Sequence, residues 1–204
     1  MRLILFLFFA LISNIAFCQF EFSAGVTYEI PFGELGDVYQ NTPAYHLTIL
    51  KGKKYKKKRD SYGVRLGYLN MKPKTDTLVY TINSTDGVEY GMISYDDYRV
   101  IQLMGSWRHD QILGKKLEFF YGVDAGLHQT FFSYTDKSPY RYDEASESIF
   151  RIAINPKTGI NYVLAKHFVL GASASYTISI GNTEDPKSMI NQYFSPGMHV
   201  LVRL

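Results

Sequence analysis

Imidazoles come first among the side chains that could do chemistry, because they exchange protons near neutral pH and bind metals readily. The chain has five, His46, His109, His128, His167 and His199, and no HxxxH pair among them, so their spacing builds no zinc site. Its one cysteine, Cys18, leaves no disulfide framework and no thiolate metal site. Acyl transfer would need a hydroxyl beside an imidazole. Ser173, Ser175, Ser179 and Ser195 are abundant and His199 follows Ser195 by four residues, but such serines also occur wherever one face must be small and polar. Glu21, Glu29 and Asp124, with Arg65, Arg108, Lys157 and Arg203, interrupt otherwise uncharged alternating stretches, where pairing is the expected use of a charge. No catalytic residue, cofactor site or metal ligand is assigned. The strongest anomaly is KGKKYKKKR, Lys51 to Arg59, with seven basic residues among nine. It reads as a solvated turn or as a contact for acidic headgroups or an acidic partner, through Lys53, Lys54, Lys57 and Lys58.

The elements that hold these residues are strands. In FVLGASASYTISI, Phe168 to Ile180, even positions are apolar or aromatic and odd positions from Gly171 are Gly, Ser or Thr. Alternate side chains of a strand face opposite ways, so one face is greasy and the other small and polar. Neither face is charged, as it would be on the wet side of a soluble sheet. Lipid outside and a crowded polar interior explain the pattern.

The same alternation predicts strands at Phe20 to Phe32, Ala44 to Leu50, Ser61 to Met71, Tyr98 to His109, Leu117 to Phe132, Ile149 to Val163 and Phe194 to Leu204. With the ribbon at 168–180 the count is eight. Lys72 to Asp97 alternates poorly and is expected to be a long outer loop that extends beyond the membrane; Ser133 to Ser148 and Gly181 to Gln192 read as further loops. Pro156 should cause a bulge or a short break. Long and short connections alternate, as in single-chain outer-membrane barrels. The expected fold is an all-β, eight-stranded antiparallel up-and-down transmembrane β-barrel.

Ahead of it, MRLILFLFFALISNIAFC has Arg2, an apolar run from Leu3 to Ile12, and small residues at Ala16 and Cys18, which reads as a signal peptide over residues 1–18. A lipoprotein acylated at Cys18 is the competing reading, opposed by the bulky Phe17 in front of it. Residues 19–204 would then form one barrel domain in the cell outer membrane of a Gram-negative organism. Without Arg2 the chain has 21 basic against 19 acidic residues, a balance that argues against nucleic acid as a partner and leaves outer-membrane lipid as the expected surroundings.

Depth sharpens the expectation. Starting strand one at the periplasmic side puts Phe20, Phe22, Tyr62, Trp107, Phe119, Tyr121, Tyr162 and Phe168 at the inner edge. Tyr28, Tyr45, Tyr68, Phe131, Tyr176 and Phe194 fall at the outer edge, with Val26, Leu47, Leu66, Leu103, Ala125, Ile154, Ala172 and Val200 between. Two aromatic levels around an aliphatic band are what a bilayer with two polar interfaces selects. An eight-stranded bore is narrow, so the inward charges should pair, Glu21 with Arg203 at barrel closure and Asp124 with Lys157 on neighbouring strands, as structural pairs instead of a solute path.

DDYRVIQLMGSW, a short turn, LEFFYGVDAGLH and the later Ser-rich strand together resemble the small outer-membrane β-barrel family of PorT-like proteins, eight-stranded barrels of the OmpA/OmpX type. The likeness covers most of residues 19 to 204. Gln102 stands where that family has a proline, and Leu204 where a terminal aromatic is favoured. The resemblance implies a membrane-embedded barrel without enzymatic activity, some members being tied to secretion. The expected role is thus structural, binding or complex-docking, through outer loops or the basic periplasmic turn. Two alternatives stand beside it: a lipid-modifying outer-membrane hydrolase or acyltransferase, and a secreted soluble ligand-binding barrel.

Overall fold

In the computed structural model, residues 19–75, 77–84, 87–138, 141–181 and 190–204 are described. The leader assigned to residues 1–18 lies outside them. The strands are β1 (Gln19–Phe32), β2 (Thr42–Tyr55), β3 (Lys58–Met71), β4 (Thr77–Ser84), β5 (Gly87–Tyr95), β6 (Tyr98–Ile112), β7 (Leu117–Ser138), β8 (Arg141–Val163), β9 (Phe168–Gly181) and β10 (Ile190–Arg203). One short helix, α1 (Gly33–Val38), joins β1 to β2.

Eight of these strands form a ring. β1, β2, β3, β6, β7, β8, β9 and β10 each pair antiparallel with the next, and β10 closes on β1. The stagger can be followed residue by residue. From Phe22 the paired partners run through Ile49, Val64, Gly105, Ala125, Ile154, Ile178 and Gln192 and return to β1 at Phe32, ten residues along. With the usual strand spacings, that stagger tilts the strands by about 40° and gives a backbone radius of about 8 Å, so side chains fill the bore.

Small inward residues let so tight a wall coil. A Cβ at Gly63 would sit 1.8 Å from the Ile49 carbonyl oxygen, and one at Gly126 would sit 2.3 Å from that of Leu103. Both contacts are with backbone, which cannot swing aside. Gly63→Ala is therefore expected to lower stability by about 1–3 kcal/mol, the usual range for overpacking, read as a fall in the urea midpoint of the reconstituted barrel.

Alternation sorts the two faces as the sequence predicts. Val169 and Leu201 are fully buried, while Leu47, Leu103 and Met198 are 61%, 52% and 73% exposed on the outer wall. Even positions of β9 face out and odd positions face the bore. Every one of the eight aliphatic mid-wall residues, Val26 to Val200, is exposed.

Strand ends depart from expectation. β2 and β3 run into the basic stretch and leave only Lys56 and Lys57 as its turn, with Lys56 at a φ of 48°. The segment expected as a loop over Lys72 to Asp97 folds into the β4–β5 hairpin, whose Met92 to Tyr95 pair with Tyr134 to Lys137 of β7. β7 and β8 likewise continue through the expected loop at Ser133 to Ser148, paired as far as Ser138 and Arg141. Where both faces of a hairpin meet water, strand pairing persists without apolar alternation. Pro156 interrupts the β8–β9 ladder between Ile154 and Lys157 with no change of register: a break and not a bulge. Residues 182–189 of the last expected loop lie outside the described residues.

The long-connection end is plugged. Leu35 of α1, Tyr39, Leu69, Met71, Tyr98, Val100 and Tyr193 form an apolar cluster across the bore. Tyr39 and Tyr98 lie with ring centroids 5.2 Å apart.

Candidate functional site

Below that plug the bore holds ionic clusters. The first lies at the short-turn end. Arg203 donates from Nε to Glu21 Oε1 at 2.9 Å and forks onto Glu118, with Nη1 at 2.9 Å and Nη2 at 2.5 Å. Arg108 donates to Glu21 Oε2 and, at 3.1 Å, to Asp110 Oδ2. Arg59 Nη1 lies 3.0 Å from Glu21 Oε1, and Asn161 donates to Asp110 Oδ1 at 3.3 Å. Three guanidiniums thus meet three carboxylates, each of the six residues buried. A charge out of water survives when paired and hydrogen-bonded, as here.

Midway up the bore, Asp124 accepts from Lys157 at one oxygen and from Arg65 Nη1 at 2.9 Å at the other. Lys157 also donates to Ser106 at 2.9 Å. Glu29 accepts from Ser195 and, at 2.6 Å, from Thr27. Between the clusters a cavity of about 50 Å³ touches His46, Arg65, Lys157 and His199, room for a few waters at most.

The structure therefore brings Glu21 to Arg203 and Asp124 to Lys157, but as parts of larger clusters. Arg59, Asp110 and Glu118 are additional members that the sequence analysis left in turns or at strand edges. Parity along the strand would have found them: Arg59 shares its phase with the inward Ser61 and Arg65, Asp110 with Ser106 and Arg108, and Glu118 with Phe120 and Asp124. Arg65 is inward by the same parity, but its pairing with Asp124 has no such signal, because β6 lies between their two strands.

The residues considered for catalysis are not brought together. Ser195 is held by Glu29, while His199 Nε2 lies 3.0 Å from Asn161 Oδ1. His128 Nδ1 lies 3.0 Å from the Tyr193 hydroxyl, and His109 is paired with Asp60 at 2.7 Å. Among the described residues no group of His, Cys, Asp or Glu is arranged to hold a metal.

The two rims carry opposite charge. At the short-turn end Lys53, Lys54, Lys57 and Lys58 are exposed on the β2–β3 hairpin, with Lys51 and Lys56 beside them, and Lys115, Lys116 and Lys166 stand on the two other short turns. The acidic side chains there are engaged, Asp60 by His109, Asp110 by Arg108, and Glu118 by Arg203. Among the described side chains, the long-connection end instead carries Glu34, Asp37, Glu89, Asp96, Asp97, Asp136, Asp143, Glu144 and Glu147 against Lys72, Lys74, Arg99 and Lys137.

No protein-family model matches the chain, and no curated protein matches it in sequence. Among solved structures the chain is similar to Ail, the attachment invasion locus protein of Yersinia pestis, in complex with the heparin analogue sucrose octasulfate. The match has 12% identity and a TM-score of 0.50, and it covers 92% of this chain and 99% of Ail. Neisserial surface protein A matches at 12% identity over 91% of this chain and 97% of its own, with a TM-score of 0.47. At such identity the likeness to Ail is one of fold: an eight-stranded antiparallel barrel.

Proposed function

We propose that the chain is an integral outer-membrane barrel protein without enzymatic activity, exported on residues 1–18, that acts by binding or docking at its two aqueous ends. One observation carries this reading. The closed wall presents a continuous band of exposed aliphatic side chains, among them Leu47, Leu66, Leu103, Ile154 and Val200, and buries ion clusters inside. Water would favour the reverse arrangement, and a contiguous apolar band of this extent marks a surface that meets lipid. Exposed Phe22, Tyr62, Phe119 and Tyr162 below the band and Tyr28, Tyr45 and Tyr68 above it support the same placement, with the short turns on the periplasmic side.

In this reading the pairs Glu21–Arg203 and Asp124–Lys157 are structural, filling a bore that passes no solute. The likeness to PorT-like barrels in residues 96–107 and 117–128 belongs to the same proposal. Ail is recorded with a polysulfated sugar. Here the rim with the long connections is acidic, so binding of a polyanion there is not part of the proposal. The hydrolase alternative is disfavoured because Ser195 is committed to Glu29 and is apart from His199's partner, Asn161. The soluble-barrel alternative is disfavoured by the apolar outer wall.

Fractionation followed by unboiled and boiled gel electrophoresis tests the reading. The protein is expected in outer membranes and to change mobility only on boiling, because a closed barrel with every wall strand paired resists detergent unfolding. Recovery from the periplasm without detergent would overturn it.

A further inference from the structure

Strand parity divides the lysines at the short-turn end into two sets. Outward-facing positions of β2 are odd-numbered, so Lys51 and Lys53 lie on the lipid side, where Lys53 lies 5.1 Å from the ring of Tyr55. Lys116 joins them, 5.8 Å from the ring of Tyr162. Such cation–aromatic pairs at a girdle suit the headgroup region. Lys54, Lys115 and Lys166 behave differently. One from each short-turn hairpin, they line a cavity of about 480 Å³ at the mouth of the bore, together with Arg59, Glu118 and Arg203.

The floor of that mouth has an unused donor. Arg59 is only 4% exposed, yet its Nε has no hydrogen-bond partner among the described residues. Glu118, whose acidic side chain is in the lining, is already covered by the Arg203 fork. A guanidinium in the floor, under a rim of three ammonium groups, gives the mouth a positive potential that favours an anionic visitor.

We propose that this mouth binds an acidic polypeptide segment of a soluble partner, deepening the docking role proposed above. Two features select that chemistry. The mouth lies on the barrel axis, away from the outer girdle where phospholipid headgroups pack, because Arg59, Glu118 and Arg203 are all bore-facing residues. Its three lysines also come from different hairpins around a ring of about 8 Å radius, so they match several spaced charges better than one compact anion. A volume of about 480 Å³ admits the side chains of a short segment.

The test uses the mature protein in neutral nanodiscs and a fluorescent hexaglutamate peptide, with binding followed by anisotropy. Exchanging the mouth lysines together, as Lys54→Gln, Lys115→Gln and Lys166→Gln, is expected to weaken binding about tenfold, the sum of three modest exposed charge interactions. The outward set, Lys51→Gln, Lys53→Gln and Lys116→Gln, should change it by less than about threefold. Retained heat-modifiable mobility shows each variant folded. Equal losses in the two triples, inorganic phosphate binding as tightly as hexaglutamate, or association only with phosphatidylglycerol vesicles would each overturn the proposal. A chain that proved soluble yet bound hexaglutamate through the mouth set would sink the membrane reading and leave this site standing.

Discussion

Glu21→Ala is expected to lower the stability of the barrel by about 3–5 kcal/mol, the cost of leaving buried charges without their partner. Glu21 is fully buried and faces Arg59, Arg108 and Arg203. Its loss leaves three guanidiniums to share Asp110 and Glu118 in a bore too narrow to hydrate them freely. Charge dominates over volume in this prediction, so Glu21→Gln, which keeps the shape, should lose most of the same amount. Arg59 has the fewest other partners, its next carboxylate being Glu118 at 3.9 Å. Adding Arg59→Met to Glu21→Gln is therefore expected to restore about 1–3 kcal/mol as a coupling between the two sites. Urea unfolding from lipid vesicles, followed through the fluorescence of the chain's one tryptophan, Trp107, measures all three variants. A loss under about 1 kcal/mol for Glu21→Ala would mean that the cluster is solvated rather than paired.

What could be read from the chain beforehand follows the chemistry of the membrane setting proposed above. Where lipid lies on one side and a packed bore on the other, each residue must choose, and Phe168 to Ile180 or Tyr62 to Tyr68 alternate cleanly enough to give strand, face and depth. Beyond the apolar band that pressure ends. Lys72 to Asp97 and Ser133 to Ser148 have no consistent apolar face, and so the β4–β5 hairpin and the upper reaches of β7 and β8 looked like loops. Arg59, Asp110 and Glu118 were lost for a related reason: at the last inward position of a strand a charge resembles the start of a turn. Arg65 and Asp124 show a different limit. Parity shows that both face the bore, while their meeting past the intervening β6 depends on the β3–β6 and β6–β7 registers, which parity does not give. The plug of Leu35, Tyr39 and Tyr98 likewise depends on α1 folding back over the bore end, which the short segment between two strands did not announce.

Leu103→Arg separates a lipid-bathed wall from a watery one more sharply than any other exchange. Leu103 is half exposed and paired in register with Leu66 on β3 and Leu127 on β7, with Leu47 and Ile152 beyond them. In water, replacing a half-exposed leucine with arginine would change stability by no more than about 0.5 kcal/mol. At the middle of a bilayer the same exchange costs about 2–4 kcal/mol, and near an interface about 0–1. Phe119→Arg, at the short-turn edge of the wall, is the matched control, because its side chain can reach the headgroups. Folding into vesicles, scored by urea midpoint and by the fraction that migrates as the closed form, should thus fall steeply for Leu103→Arg and little for Phe119→Arg. Equal and small effects at both positions would place the band in water, and the exposed aliphatic row from Leu47 to Ile152 would then need a protein partner to cover it.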